Sequence, residues 1–149
     1  MRSLNHAAKR QFPLYVRLAA LFHDVAKPHT RVWKNEQWTF YGHEVVGARL
    51  AKKITEDLRL SKEIIEKTVR LVRWHMFFSD TEEITLSAVR RMVRNVSPEL
   101  IWDLIDVRTA DRIGTGRPKE TPYRLRKYKS MIEEVLRNPI SVKQLAING

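Results

Sequence analysis

The sequence predicts an all-α bundle with one short hairpin-like insertion. Three observations predict it. Apolar residues recur at three- and four-residue spacings through most of the chain. Several of those stretches open on a helix-starting signal, at Pro13, at Ser61 and at Ser97-Pro98-Glu99. Only "TRVWKNEQWTF" carries β-branched and aromatic runs around a polar centre.

Taken in order, residues 1–10 form a helical segment. Pro13 opens a second helix, in which Leu14, Leu18, Leu21, Phe22 and Val25 share a face. Pro28 disfavours helix at Lys27, so this helix is expected to stop near Ala26. The two short runs around Asn35, Glu36 and Gln37 predict a small hairpin or an irregular loop. After Gly42 an amphipathic helix buries Val45, Val46, Ala48, Leu50, Ala51 and Ile54. Ser61 caps a helix carrying Ile64, Ile65, Thr68, Leu71, Val72 and His75. "FSDTEE" is a loop, and residues 86–96 form a basic helix. Ser97-Pro98-Glu99 begins a helix through Leu100, Ile101, Leu104, Ile105 and Ala110 towards Gly114. A final helix covers 122–137 and ends at Pro139.

The chain has 149 residues and shows no repeat, low-complexity tract or long linker. It is expected to form one domain, long enough to bury a core without crosslinks, with the basic loop and helix of 111–137 inside it. The absence of cysteine excludes disulfides, thiolate metal sites and cysteine nucleophiles together. No apolar signal segment or membrane-length run is visible, and a soluble cytoplasmic protein is the expectation. Lys and Arg number 28 against 17 acidic residues, a net charge of +11 that suits nucleic acid or phosphorylated small molecules.

The polar residues that carry chemistry are few. His23 and Asp24 are neighbours at a helix end, and on a helix their side chains would point roughly 100° apart. They can share one ion only where the helix end approaches it closely and other helices complete the shell. Taken as a dipeptide, His23-Asp24 equally fits a half-buried histidine beside a solvated aspartate. His43 opens a helix, His75 ends another, and Asp111 lies on an otherwise apolar face beside Ala110. A carboxylate on a buried stripe is costly unless paired or ligated, and ligands at helix ends suit convergence inside a bundle. Imidazole and carboxylate donors together fit Mn, Fe, Ni, Co or Zn. Lys27, one turn beyond Asp24, is placed to meet a phosphate at the same ion.

"RLAALFHDVAKPHTR", "FYGHEVVGARLAKKI", "RLVRWHM", "ADRIGTGRPKETPYRLRKY" and "LAING", in that order and spacing, resemble the HD phosphohydrolase superfamily. More narrowly, they are similar to the HD domain of bacterial tRNA nucleotidyltransferases (CCA-adding enzymes) and related poly(A) polymerases. The resemblance covers the whole chain and implies an HD-domain helical bundle. It also implies His23 and Asp24 as central metal ligands, Asp111 as the distal carboxylate, and His43 and His75 as histidines for a second metal. One or two ions are expected, of Mn, Ni, Co, Fe, Zn or Mg.

The resemblance implies a further histidine on the first helix. His6 is the only upstream candidate, 17 residues before His23, and it fits a free helix-surface imidazole better. A centre short of one imidazole would bind metal more weakly. The nucleotidyltransferase head is absent from these residues, so the chain is not expected to add nucleotides by itself. Its abrupt beginning and end suit a piece of a longer nucleotidyltransferase chain.

The implied activity is metal-assisted phosphohydrolysis of 2′,3′-cyclic nucleotides, nucleoside monophosphates or an RNA terminus. Asp24 would ligate and accept a proton, while Lys27 and Arg31 would neutralise phosphate. A rival reading is an RNA-positioning module that is weak or inactive as an enzyme. Arg112, Arg117, Lys119, Arg124, Arg126, Lys127 and Lys129 would follow a tRNA-like backbone, with Tyr123 or Tyr128 stacking on a base. Against this stands an inward-packed Tyr123, Leu125 and Tyr128 beneath solvated basic residues. Trp33, Trp38, Trp74 and Trp102 read as core or loop-packing residues, and Glu44 either orients the His43 imidazole or favours the helix start.

Overall fold

The computed structural model describes residues 2–77, 84–116 and 123–138. Among these residues the chain is mostly helical, with one two-stranded antiparallel hairpin. The helices are α1 (Arg2–Lys9), α2 (Leu14–Phe22), the single turn α3 (Lys27–Thr30), α4 (His43–Asp57), α5 (Lys62–Trp74), α6 (Leu86–Val96), α7 (Ile101–Gly114) and α8 (Tyr123–Arg137). Strands β1 (Val32–Lys34) and β2 (Gln37–Thr39) lie between α3 and α4. The expected all-α bundle with a hairpin insertion is what the chain forms. The loop expected at 78–83 lies outside the described residues, as do Arg117, Lys119 and Pro139.

Helix α5 packs against α2 and α4, and α7 packs against α1 and α2. The main core joins Val16 and Ala19 of α2, Ala51 of α4, and Leu71 and Val72 of α5 to Met92, Val93, Leu104 and Ile105. Helix α8 closes this core through Leu125, Tyr128, Ile132 and Val135. A smaller cluster of Ala7, Ala20 and Ala110 lets α1, α2 and α7 approach closely. At Gly114 the fit is tighter still, because a Cβ there would collide with the Ser3 hydroxyl and lie 3.1 Å from the Ser3 nitrogen. The Ser61 side chain caps α5 by accepting from the Ile64 N–H at 3.3 Å, as expected.

Two boundaries differ from expectation. Helix α2 stops at Phe22 rather than near Ala26. His23 still donates to the Ala19 carbonyl, but Val25 then bonds Phe22 and Lys27 bonds Asp24, the shorter i→i+3 pattern. Pro28 sits in the first turn of α3, where its missing N–H costs no hydrogen bond. The second difference is α7, which begins at Ile101. Ser97 is the C-cap of α6, donating its N–H to Val93 at 2.9 Å from a φ of 87°. It therefore ends one helix instead of starting the next, and the chain needs a turn before α7.

The hairpin pairs Trp33 with Trp38 across a two-residue turn. Asn35 and Glu36 both have positive φ, 51° and 59°, as a turn matching strand twist requires. The two indoles meet edge to face with centroids 5.0 Å apart, and the Arg31 guanidinium lies 3.6 Å from the centre of Trp38. The tryptophans differ in burial: Trp74 packs against the core, whereas Trp33 and Trp38 pack on each other and remain about half exposed.

Candidate metal centre

Three histidines are buried at the heart of the bundle, each at a helix terminus. His23 is the C-cap of α2, His75 the C-cap of α5, and His43 the first residue of α4. Gly42 makes the last placement possible, since its φ of 76° turns the chain into α4.

Each ring is fixed in the same way. Nδ1 of His23 donates to the Ala20 carbonyl at 2.8 Å, that of His43 to Phe40 at 2.9 Å, and that of His75 to Val72 at 2.6 Å. A carbonyl only accepts, so each Nδ1 carries a proton and Nε2 of the neutral ring presents a lone pair. This arrangement fixes tautomer and aim in metal-binding histidines. All three Nε2 atoms point to a common region with Asp24 at its centre.

Asp24 reaches both sides of that region. Its Oδ1 is 3.6 Å from His43 Nε2, while its Oδ2 is 3.2 Å from His23 Nε2 and 2.8 Å from Lys27 Nζ. The two neighbours meet at the end of α2, where His23 still has right-handed helical backbone, φ −56° and ψ −32°. From α7, Asp111 Oδ1 approaches His23 Nε2 to 2.9 Å. Arg108, one turn before Asp111, holds its Oδ2 at 2.9 Å. The sequence reading missed Arg108, although its i,i+3 spacing from Asp111 was a usable signal.

The cluster divides into two overlapping sets. Asp24, His43 and His75 offer ligand atoms within 4.8 Å of one another, and so do His23, Asp24 and Asp111. Both sets contain Asp24. In the first, His43 Nε2 and His75 Nε2 are 3.2 Å apart. With both Nδ1 protons committed to carbonyls, two lone pairs face each other at that distance, an arrangement that needs a cation or a shared proton between them. The donors present therefore fit a metal ion. Oxygen and nitrogen donors of this kind suit a divalent transition metal.

Ionisation follows the same division. Burial opposes charge on His23, but hydrogen bonds and charge from Asp111 and Asp24 outweigh it and raise the imidazole to about 9. Burial alone would raise Asp24 and Asp111. The facing His23 overcomes it for both, aided by Lys27 at Asp24 and Arg108 at Asp111, and both carboxyls lie below the usual range. His75 goes the opposite way, to about 4, through burial together with the neighbouring His23 and His43.

Two clefts open from the cluster. One, of about 290 Å³, is bounded by Arg2, Ser3, His23, Asp24, Asp111 and Thr115. The other, of about 500 Å³, runs from Lys27 and His43 to the hairpin. His6 lies outside both ligand sets, its ring 6.1 Å from that of Phe12. Glu44 reaches His43 Nδ1 only at 3.9 Å, and Phe40 orients that imidazole instead. Arg112 is half-buried on α7, with a buried Nε that has no hydrogen-bond partner among the described residues, and Arg124 is half-buried on α8. Tyr128 is buried against Phe77 and is not open to a base, whereas Tyr123 is 73% exposed.

An HD-domain family model matches residues 1–116. Among relatives, the CC-adding tRNA nucleotidyltransferase of Thermus thermophilus is 40% identical over 136 residues, covering 89% of this chain and 30% of that protein. The A-adding tRNA nucleotidyltransferase of Deinococcus radiodurans is 32% identical over 125 residues, covering 83% of this chain and 28% of its own. The multifunctional CCA protein of Neisseria meningitidis serogroup A is 26% identical over 127 residues, 83% of this chain and 30% of its own. The chain thus spans about 30% of the length of these curated relatives. No helix among the described residues is long and apolar enough to cross a membrane. The buried histidine–aspartate cluster, its spacing along the chain and these matches lead to one assignment: the chain belongs to the HD-domain family, and its HD domain is related to that of CCA-adding tRNA nucleotidyltransferases.

Proposed function

We propose that this chain is a metal-dependent phosphohydrolase domain acting on nucleotide or RNA-terminal phosphates. The observation that carries the reading is the pair of Nε2 lone pairs 3.2 Å apart, beside a carboxylate common to both ligand sets. In this reading His43, His75 and Asp24 hold one divalent ion, and His23, Asp111 and the same Asp24 hold a second. Mn, Fe, Ni, Co and Zn suit the donors better than Mg. A bound divalent ion supplies electrophilic assistance to a phosphoryl group and acidifies water.

The chain's own residues do the rest. Asp24 is held ionised by its cationic neighbours, which suits a ligand common to both sets and makes it a weak proton acceptor. Lys27, 2.8 Å from Asp24 and lining the larger cleft, neutralises charge on the phosphate, with Arg31 as a more distant cation on the hairpin. Phe40, Ala20 and Val72 keep the imidazoles aimed through their carbonyls. Residues 1–149 form one such domain, cytoplasmic, within or beside a longer nucleotidyltransferase chain. The test is hydrolysis of a 2′,3′-cyclic nucleotide with each of Mn, Ni, Co, Fe and Mg. We expect metal-dependent turnover in the wild type and at least a hundredfold loss in Asp24→Ala. Equal rates for the two would refute the reading.

A second reading is supported by α8. Arg126 and Lys127 are exposed there beside the open ring of Tyr123, while the apolar side of the helix is buried. Together with Arg112 of α7 and Arg124 of α8, and with Arg117 and Lys119 outside the described residues, these side chains would position tRNA, the substrate named in the relatives' descriptions. Binding should then weaken steeply as salt rises. A tRNA dissociation constant that does not change between 50 and roughly 200 mM salt would rule it out.

A further inference from the structure

The larger cleft has a character of its own. Its apolar lining is Trp38, Phe40, Tyr41 and Met76, with the Phe40 ring 5.8 Å from Lys27 Nζ, and its polar lining includes Lys27, His43 and Glu44. Three of the apolar side chains are unusually open for their type: Tyr41 is 82% exposed, Trp38 48% and Met76 37%. Apolar surface gathered in a concavity marks a binding site more than a solvated face does.

The polar lining says what kind of molecule fits. Lys27 and His43 belong to the cleft and to the Asp24 cluster at once. Whatever fills the cleft therefore has one end against a cation and the candidate metal ligands, where an anionic group belongs. The rest of it lies among rings, where a flat heterocycle belongs. Glu44 adds acceptors to the lining, since its carboxylate comes no closer than 3.9 Å to His43 and makes no hydrogen bond there. Base amino groups and ribose hydroxyls are the donors such acceptors take.

We propose that the hairpin cleft binds the nucleoside moiety of the substrate, its base against Tyr41, while the phosphate faces Lys27 and His43. This deepens, and rests on, the phosphohydrolase reading. It makes the hairpin a specificity element: nucleoside phosphates are preferred over phosphoesters without a base. Tyr41 is the residue to test, because an 82% exposed ring at the cleft can be removed without opening the core.

Tryptophan fluorescence of the purified protein, with Mg²⁺ added, is titrated with adenosine 5′-monophosphate and separately with ribose 5-phosphate, which lacks only the base. The wild type should prefer the nucleotide by about tenfold or more, the scale of one base–aromatic stack. Tyr41→Ala should abolish most of that preference, and Tyr41→Phe should keep it. Equal affinities in the wild type, an unchanged preference in Tyr41→Ala, or no binding of either ligand would overturn the proposal; the last would point to a protein partner for the aromatic wall. Cyclic-nucleotide turnover without a base preference would leave the phosphohydrolase reading standing and remove the cleft assignment. A base preference without turnover under any metal would do the reverse.

Discussion

The two halves of the cluster use the same residue type, anchored in the same way, to opposite electrostatic ends. On the α7 side, His23 faces two carboxylates, which are in turn held by Lys27 and Arg108. Without metal this half can neutralise itself, because a proton on His23 Nε2 occupies the place between the carboxylates. On the α5 side, His75 faces His43 and the more distant Asp24, and it resists protonation. His75 Nε2 therefore offers a lone pair towards His43. The difference teaches that burial opposes charge on both imidazoles, 5% and 2% exposed, and is outweighed only at His23, where two carboxylates lie within reach of Nε2.

The strongest way to break that comparison is to remove the residue common to both halves. Asp24→Ala should lower metal affinity by more than the 10–100-fold that loss of an outer partner costs. Asp111→Ala strikes one half only, and should leave the His43–His75–Asp24 set with its ion. Elemental analysis of purified wild type and both variants checks this, with circular dichroism confirming that each has folded. Equal metal loss from the two substitutions would mean that the halves are not separable. Retention of full metal by Asp24→Ala would mean that Asp24 is not the ligand common to both halves.

Much of this was visible in the residues alone, for reasons that can be stated one at a time. The bundle was legible because periodicity and caps agree, as at Pro13 and Ser61. The five cluster residues stood out because each is polar at a helix end or on an apolar face, which a core tolerates only for a partner. What periodicity could not supply was the point where α-helical bonding gives way to the shorter pattern after His23, which ends α2 earlier than expected. Nor could it identify the carbonyls of Ala20, Phe40 and Val72, because a backbone acceptor has no letter in the sequence. Ser97 misled because its hydroxyl suits a cap, whereas its backbone was already committed to ending α6. Tyr128 belonged with the inward-packed alternative, which Tyr123 does not share.

A smaller effect sharpens the comparison without any substitution. In chelator-treated protein the two histidines should give stability slopes of opposite sign. His23 has its pKa raised from 6.5 to about 9, so its contribution is fully present below 6.5 and is lost as pH rises towards 9. His75 has its pKa lowered from 6.5 to about 4, so its contribution is present above 6.5 and is lost as pH falls towards 4. Urea unfolding across pH 4 to 9 should therefore give a maximum between the two limbs. His23→Gln should flatten the alkaline limb and leave the acid limb, and His75→Gln should do the opposite. Saturating divalent metal should flatten the alkaline limb as well, because an ion on Nε2 displaces the proton that produces it. An alkaline limb unmoved by both metal and His23→Gln would show that the carboxylates do not hold His23 in its charged form, and the contrast between the halves would lose its electrostatic basis.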